Sequence, residues 1–139
     1  MLTGKKIVLG VSGGIAAYKM ANVASMLSKL HADIHVVMTE NATHFITPET
    51  FEVLTGNHCY TDTFDRCMEL HVPHIALGTQ ADAILIAPAS ADVVGKIANG
   101  IADDMLTTCV LPATCPVMLA PSMNVHMLSL IHISEPTRH

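Results

Sequence analysis

The run Lys5-Lys-Ile-Val-Leu-Gly-Val11 is apolar at consecutive positions and lacks the alternation of a half-solvated strand, so it predicts a strand buried on both faces. Ser12-Gly-Gly14 follows as a turn. Ile15 to Leu30 has helical spacing, with Ile15, Ala16, Val23, Met26, Leu27 and Leu30 assigned to one apolar stripe. A second strand is predicted over Asp33–Met38, ending at Thr39-Glu-Asn41. Thr47-Pro48 marks a helix start, with Thr47 as N-cap and Pro48 in the first turn; that helix runs to Leu54 and stops at Gly56. A short, ambiguous strand covers Cys59–Phe64, Arg66–Leu70 is irregular or weakly helical, and His74–Gly78 is a short helical turn. Ala83–Ala87 is a third main strand. Asp92–Ala98 and Asp103–Leu111 are two helices parted by Asn99-Gly100, and Val117–Ala120 is a fourth strand. Strands alternating with helices predict an α/β fold, a parallel sheet with right-handed crossovers and helices on both faces.

Ligands in such sheets bind beyond the carboxyl ends of the strands, near a topological switch point. Four separated segments fall there: Gly10–Gly14, Thr39, Ala89–Asp92 and Pro121–Asn124. Their convergence predicts a nucleotide-type cofactor site. Gly10-Val-Ser-Gly-Gly14 lacks the full GxGxxG pattern, but its glycines permit a tight turn and Ser12 can donate to a phosphate at the following helix N-terminus. Thr39 stands where an acidic residue would bind a ribose diol. A hydroxyl there favours phosphate, which points away from NAD and towards a mononucleotide. Asn124, just beyond a strand, can donate to a carboxylate without adding charge. Asp103-Asp104 reads as the cap of the next helix. His71 and His74 share a face if their turn is helical, but no third ligand stands at a metal-binding spacing, so no metal site is expected.

Composition narrows the class. Half of the 139 residues are hydrophobic and 14% are charged, which suits one domain with a substantial core. The net charge of −5 and the lack of a basic run argue against nucleic-acid or membrane-surface partners. No apolar stretch reaches spanning length, and the N-terminus leads directly into a strand-like run; a cytoplasmic protein is expected. Four cysteines without CxxC pairing read as free thiols.

Residues 128–139, Leu128-Ser-Leu-Ile-His-Ile-Ser-Glu-Pro-Thr-Arg-His139, change character abruptly and look like a translated sequencing adapter. They are expected to be a non-native tail, excluded from fold reasoning, behind a domain over residues 1–127 that is C-terminally truncated.

Taken together, Lys5–Lys19, Phe45-Ile-Thr-Pro48, His74-Ile-Ala-Leu77, Pro88-Ala-Ser-Ala-Asp92 with Gly95-Lys96, Gly100-Ile-Ala-Asp-Asp104 and Pro121-Ser-Met-Asn-Val-His-Met127 resemble the flavin-dependent cysteine decarboxylase family. The similarity covers essentially Met1–Met127, in the style of a bacterial bifunctional enzyme whose chain continues into a phosphopantothenate–cysteine ligase domain. The resemblance implies a flavodoxin-like three-layer fold, FMN as cofactor, and a homotrimer or a dodecamer of trimers. It implies decarboxylation of phosphopantothenoylcysteine to phosphopantetheine in coenzyme A biosynthesis. His74 would be the active-site histidine and Asn124 the ligand of the substrate carboxylate. FMN would be held by Gly10, Ser12, Gly13, Thr39, Ala89, Ser90, Ala91, Asp92, Ser122 and Met123. Asp92 departs from the family's more usual Asn, and Ser122 from Ala.

The implied chemistry is flavin oxidation of the cysteine moiety to a thioaldehyde, loss of carbon dioxide, and return of the electrons to the ene-thiol. In the family a flap cysteine protonates that intermediate. Neither Cys109 nor Cys115 matches it, so the chain as given is expected to be an incomplete decarboxylase that binds flavin weakly and fails to complete turnover. Two rival readings share the fold: a flavin prenyltransferase, and a non-catalytic flavoprotein that regulates a partner.

Overall fold

The computed structural model describes residues 1–61 and 73–121, and of 73–75 the backbone alone. Four strands, β1 (Lys6–Val11), β2 (Asp33–Met38), β3 (Ala83–Ala89) and β4 (Val117–Pro121), form one parallel sheet in the order β2-β1-β3-β4. The helices are α1 (Lys19–Lys29), α2 (Pro48–Thr55), α3 (Pro73–Gln80), α4 (Ala91–Ala98) and α5 (Met105–Val110). This is a flavodoxin-like α/β fold.

Alternation along the strands divides the core. Val8, Val37, Ile84 and Ile86 face one way and pack with Leu77 of α3, Val93 and Val94 of α4, and Met105, Leu106 and Cys109 of α5. Leu9, Val11, Ile34, Val36 and Met38 face the other way, against Ala17, Met20, Ala24 and Phe51 from the α1 and α2 side. Because both faces are covered, the strands read as continuous apolar runs.

The helix starts are written locally. Thr47 takes the extended N-cap backbone and Pro48 the first turn of α2, which ends at Gly56 in the left-handed region (φ 74°). The Thr47 hydroxyl does not cap the helix; it pairs with Thr50 Oγ1 at 3.0 Å. Ser90 caps α4, accepting from Val93 N at 3.3 Å. Asp104 and Thr107 form a capping box that starts α5.

Three expectations need correction. The stripe assigned to the first helix holds only in part: Val23 and Leu27 pack against the core as expected. Ile15 is 81% exposed and Met26 64%, while Ala17, Met20 and Ala24 are the buried line. Ile15 falls in a 3-10 turn over Ile15–Tyr18 ahead of α1, and within α1 the helical set Met20, Val23, Ala24 and Leu27 faces the core and turns Met26 away from it. The turn at His74–Gly78 is instead part of an eight-residue helix, α3. Within Cys59–Phe64, Tyr60 makes only an isolated parallel bridge to Val37; residues 62–64, like Arg66–Leu70 and 128–139, lie outside the described residues. Among the described residues no helix is long and apolar enough to cross a membrane, and no cluster of His, Cys, Asp and Glu could hold a metal ion.

Candidate functional site

In the order β2-β1-β3-β4 the chain leaves β1 for one side of the sheet and returns on the other, so the switch point lies between β1 and β3. A cavity of about 490 Å³ opens at that rim. It is lined by Gly13 after β1, Thr39, Glu40 and Asn41 after β2, Thr61, Ser90, Asp92, Val93 and Lys96 of the α4 start, and Asp103 and Asp104 before α5.

Of the expected cofactor residues, Gly13, Thr39, Ser90 and Asp92 line this cavity. Gly13 is a true close-approach position, since a Cβ there would meet Asn41 Nδ2 at 2.1 Å. Thr39 is 7% exposed; its Oγ1 accepts from Ala42 N at 3.2 Å, and among the described residues its proton has no acceptor. Ala91 and Asp92 open α4, and their N–H groups lack intrahelical partners, as the first N–H groups of any helix do. Beside Gly13, these groups give the rim a set of uncommitted neutral donors suited to an anion.

Other expected residues do not line the cavity and are engaged within the fold. Ser12 is fully buried: it donates its hydroxyl proton to Pro88 O and accepts from Ser90 N at 2.8 Å. Its single proton is spent inside the protein, so Ser12 shapes the turn. Gly10 lies within β1, where a Cβ would meet Leu106 Cδ1 at 2.5 Å; it makes room for α5. Ala89 is buried in the core at the end of β3. The backbone of His74 occupies the first turn of α3, whose other end leads into β3. The His74 side chain, Ser122, Met123 and Asn124 lie outside what the structure describes.

Sequence reasoning did not select Asn41, Thr61 or Lys96. Lys96 Nζ lies 3.2 Å from Asp92 Oδ2, 3.1 Å from Asp103 Oδ1 and 3.9 Å from Asp104 Oδ2. Its bond to Asp103 holds the ammonium above the usual lysine range against the opposing effect of burial. The i,i+4 spacing of Asp92 and Lys96 was a legible signal; the reach across to Asp103 was not.

The sequence profile of the Flavoprotein family matches residues 1–132. The chain belongs to that family. It is 50% identical over 127 residues to the coenzyme A biosynthesis bifunctional protein CoaBC of Bacillus subtilis (strain 168), a match covering 91% of this chain and 31% of the relative. It is 45% identical over 134 residues to the protein of the same name from Vibrio vulnificus (strain YJ016), covering 96% and 33%. The chain therefore spans about a third of the length of these curated relatives. Among solved structures it superposes on the FMN-dependent cysteine decarboxylase SpaF with a TM-score of 0.83 and 35% identity, over 96% of this chain and 78% of that one. On a PPC decarboxylase variant complexed with pantothenoylaminoethenethiol the TM-score is 0.77 and the identity 29%, over 94% and 76%.

The flavoprotein's rim suits a phosphorylated flavin in size and in its neutral donors: the cavity falls in the usual range for small-ligand sites. Its side-chain charge is a separate matter, because among the described residues Glu40, Asp92, Asp103 and Asp104 line the cavity against one cation, Lys96.

Proposed function

We propose that this chain is the flavin-binding part of an FMN-dependent decarboxylase that converts phosphopantothenoylcysteine to phosphopantetheine in coenzyme A biosynthesis. The observation that carries the reading is the donor-rich cavity at the β1/β3 switch point, in a chain 50% identical to a coenzyme A biosynthesis bifunctional protein. Residues 1–127 form the working domain, and residues 128–139, of which the family match reaches only the first five, are a foreign tail. In the natural protein a phosphopantothenate–cysteine ligase domain follows, in keeping with the one-third coverage of the relatives.

Gly13, the Asp92 N–H with that of Ala91 next to it at the start of α4, and the Thr39 hydroxyl hold the FMN phosphate, and the Asn41 amide lines the same cavity. Ser12 acts indirectly, by holding the Ser90 turn. Ser122 and Met123 belong to the same wall. When bound, FMN supplies the two-electron oxidation of the substrate's cysteine and its later reversal. Asn124 binds the substrate carboxylate through its amide, and His74 moves or holds the proton at the cysteine sulfur. The protein is cytoplasmic and assembles as a homotrimer or a dodecamer of trimers.

The test has two parts. The 139-residue chain is titrated with FMN and followed by flavin fluorescence, and the protein with its natural continuation is assayed for carbon dioxide release from phosphopantothenoylcysteine. Yellow protein and release of carbon dioxide are expected, with His74→Asn retaining the colour and losing turnover. A colourless continued protein would overturn the cofactor; full turnover in the His74 variant would overturn its role.

A further inference from the structure

Lys96 is the one cationic side chain lining the cavity among the described residues, and it stands among three carboxylates. That arrangement bears on a contradiction in the site. The free N–H groups of Ala91 and Asp92 favour an anion, yet the Asp92 carboxylate belongs to the same turn and repels one. Lys96 lies one helical turn further on and bonds Asp92 Oδ2 at 3.2 Å. It draws that carboxylate along the α4 surface and balances its charge. It also ties α4 to the segment before α5, through Asp103 at 3.1 Å and through its own carbonyl, which accepts from Ile101 N at 2.8 Å.

We propose that Lys96 is a positioning residue for the bound phosphate: it makes the α4 N-terminus competent for an anion despite Asp92. A neutral residue at 92 would need no such partner, so the aspartate and the lysine form one functional unit. This rests on the flavin reading above and deepens it by naming what sets affinity for the charged end of the cofactor.

The proposal predicts a difference between two probes that share ring and ribityl chain. The whole chain is titrated with FMN and, separately, with riboflavin, which lacks the phosphate. Lys96→Met should weaken FMN binding at least about tenfold and change riboflavin binding by less than about twofold. Asp92→Asn placed in the same chain should restore FMN affinity to within about threefold of the parent. Asp92→Asn alone, with Lys96 kept, should bind FMN at least about threefold more tightly, and this arm stands even where Lys96→Met fails to fold. Equal loss of both probes, no loss of FMN, absence of rescue, or unchanged or weaker FMN binding by the Asp92 single variant would each overturn the proposal. The same titrations are run on the protein with its natural continuation, and if that protein binds neither probe, the flavin reading falls first and this inference with it.

Discussion

The backbone N–H of Ser90 donates to Ser12 Oγ at 2.8 Å, across 78 positions of sequence. Ser12 in turn donates its hydroxyl proton to Pro88 O, and its own N–H reaches the same carbonyl at 3.2 Å. One buried hydroxyl thus joins the turn after β1 to the N-cap of α4, and these are two walls of the candidate cofactor cavity. The position of the α4 N–H donors follows from this bond.

Ser12→Ala should therefore act on stability before any ligand is present. Removing the hydroxyl strands the part-buried Ser90 N–H, a loss of about 1–3 kcal/mol. Urea unfolding without flavin measures it. An unchanged midpoint would show that the bond does not hold the two turns together.

Two glycines should respond in opposite directions. At Gly78 in α3 an added Cβ would lie 2.1 Å from the backbone oxygen of Cys109, so α3 and α5 touch where only glycine fits. Gly78→Ala should cost about 1–3 kcal/mol, because a carbonyl cannot swing aside as a side-chain end can. At Gly95 in α4 nothing lies within 4 Å of the new Cβ. Gly95→Ala should gain about 0.5–1 kcal/mol from helix propensity. Thermal melts of the pair check both signs, and similar shifts for the two would contradict the packing at Gly78.

Much of the fold was legible because the strands are short apolar runs buried on both faces and two helix starts carry local signals, Thr47-Pro48 and the Asp104 cap; the Ser90 cap of α4 was not read, and Thr47 takes the N-cap backbone without its hydroxyl closing the cap. The burial phase of the first helix was legible only in part: Val23 and Leu27 pack on the core as read, while Ile15, which reads as core by hydrophobicity, is 81% exposed in the 3-10 turn before α1. At the site, the rim was found from strand ends, yet the duties of its residues were not. A serine in a glycine turn looks the same in sequence whether its proton goes to a ligand or to Pro88 O. Gly10 likewise reads as a phosphate-turn glycine, though its missing Cβ accommodates Leu106. Lys96 was legible as an Asp92 partner but its bond to Asp103 needs the folded turn at Gly100, where φ is 70°.

Cys109 should be inert as a thiol. Burial, with a smaller effect from the Asp104 charge, pushes it up to about 12. At pH 8 about one molecule in ten thousand carries the thiolate, so alkylation should wait for unfolding. The linkage follows from the direction of the shift. The folded value exceeds the ordinary 9.0, so the stability tied to the neutral thiol is fully present below pH 9 and is lost as pH rises through about 12. Denaturant midpoints measured from pH 8 to 10.5 should fall more steeply for the parent than for Cys109→Ala, whatever cavity cost the variant carries at neutral pH. Rapid labelling of folded Cys109 by iodoacetamide at pH 8 would contradict its burial.

Asp104 joins the scaffold to the cavity wall, and its removal should show both functions. Its Oδ1 accepts from Thr107 N at 2.8 Å and its backbone N–H donates to Thr107 Oγ1 at 3.2 Å, closing the capping box of α5. The same carboxylate lies 3.9 Å from Lys96 Nζ through Oδ2. Asp104→Ala should cost about 0.5–2 kcal/mol, the usual loss for an N-cap. Asp104→Asn keeps an oxygen for Thr107 N and should recover most of that stability while still removing the negative charge. The pair thus separates cap from charge. With the cap preserved and one carboxylate gone from the cavity, Asp104→Asn should bind FMN at least as tightly as the parent, because the lining carries less negative charge against the phosphate. Denaturation and flavin titration of the two variants, side by side, decide it: weaker FMN binding by a fully stable Asp104→Asn would mean that the acidic wall touches the cofactor as an acceptor rather than opposing it as a charge.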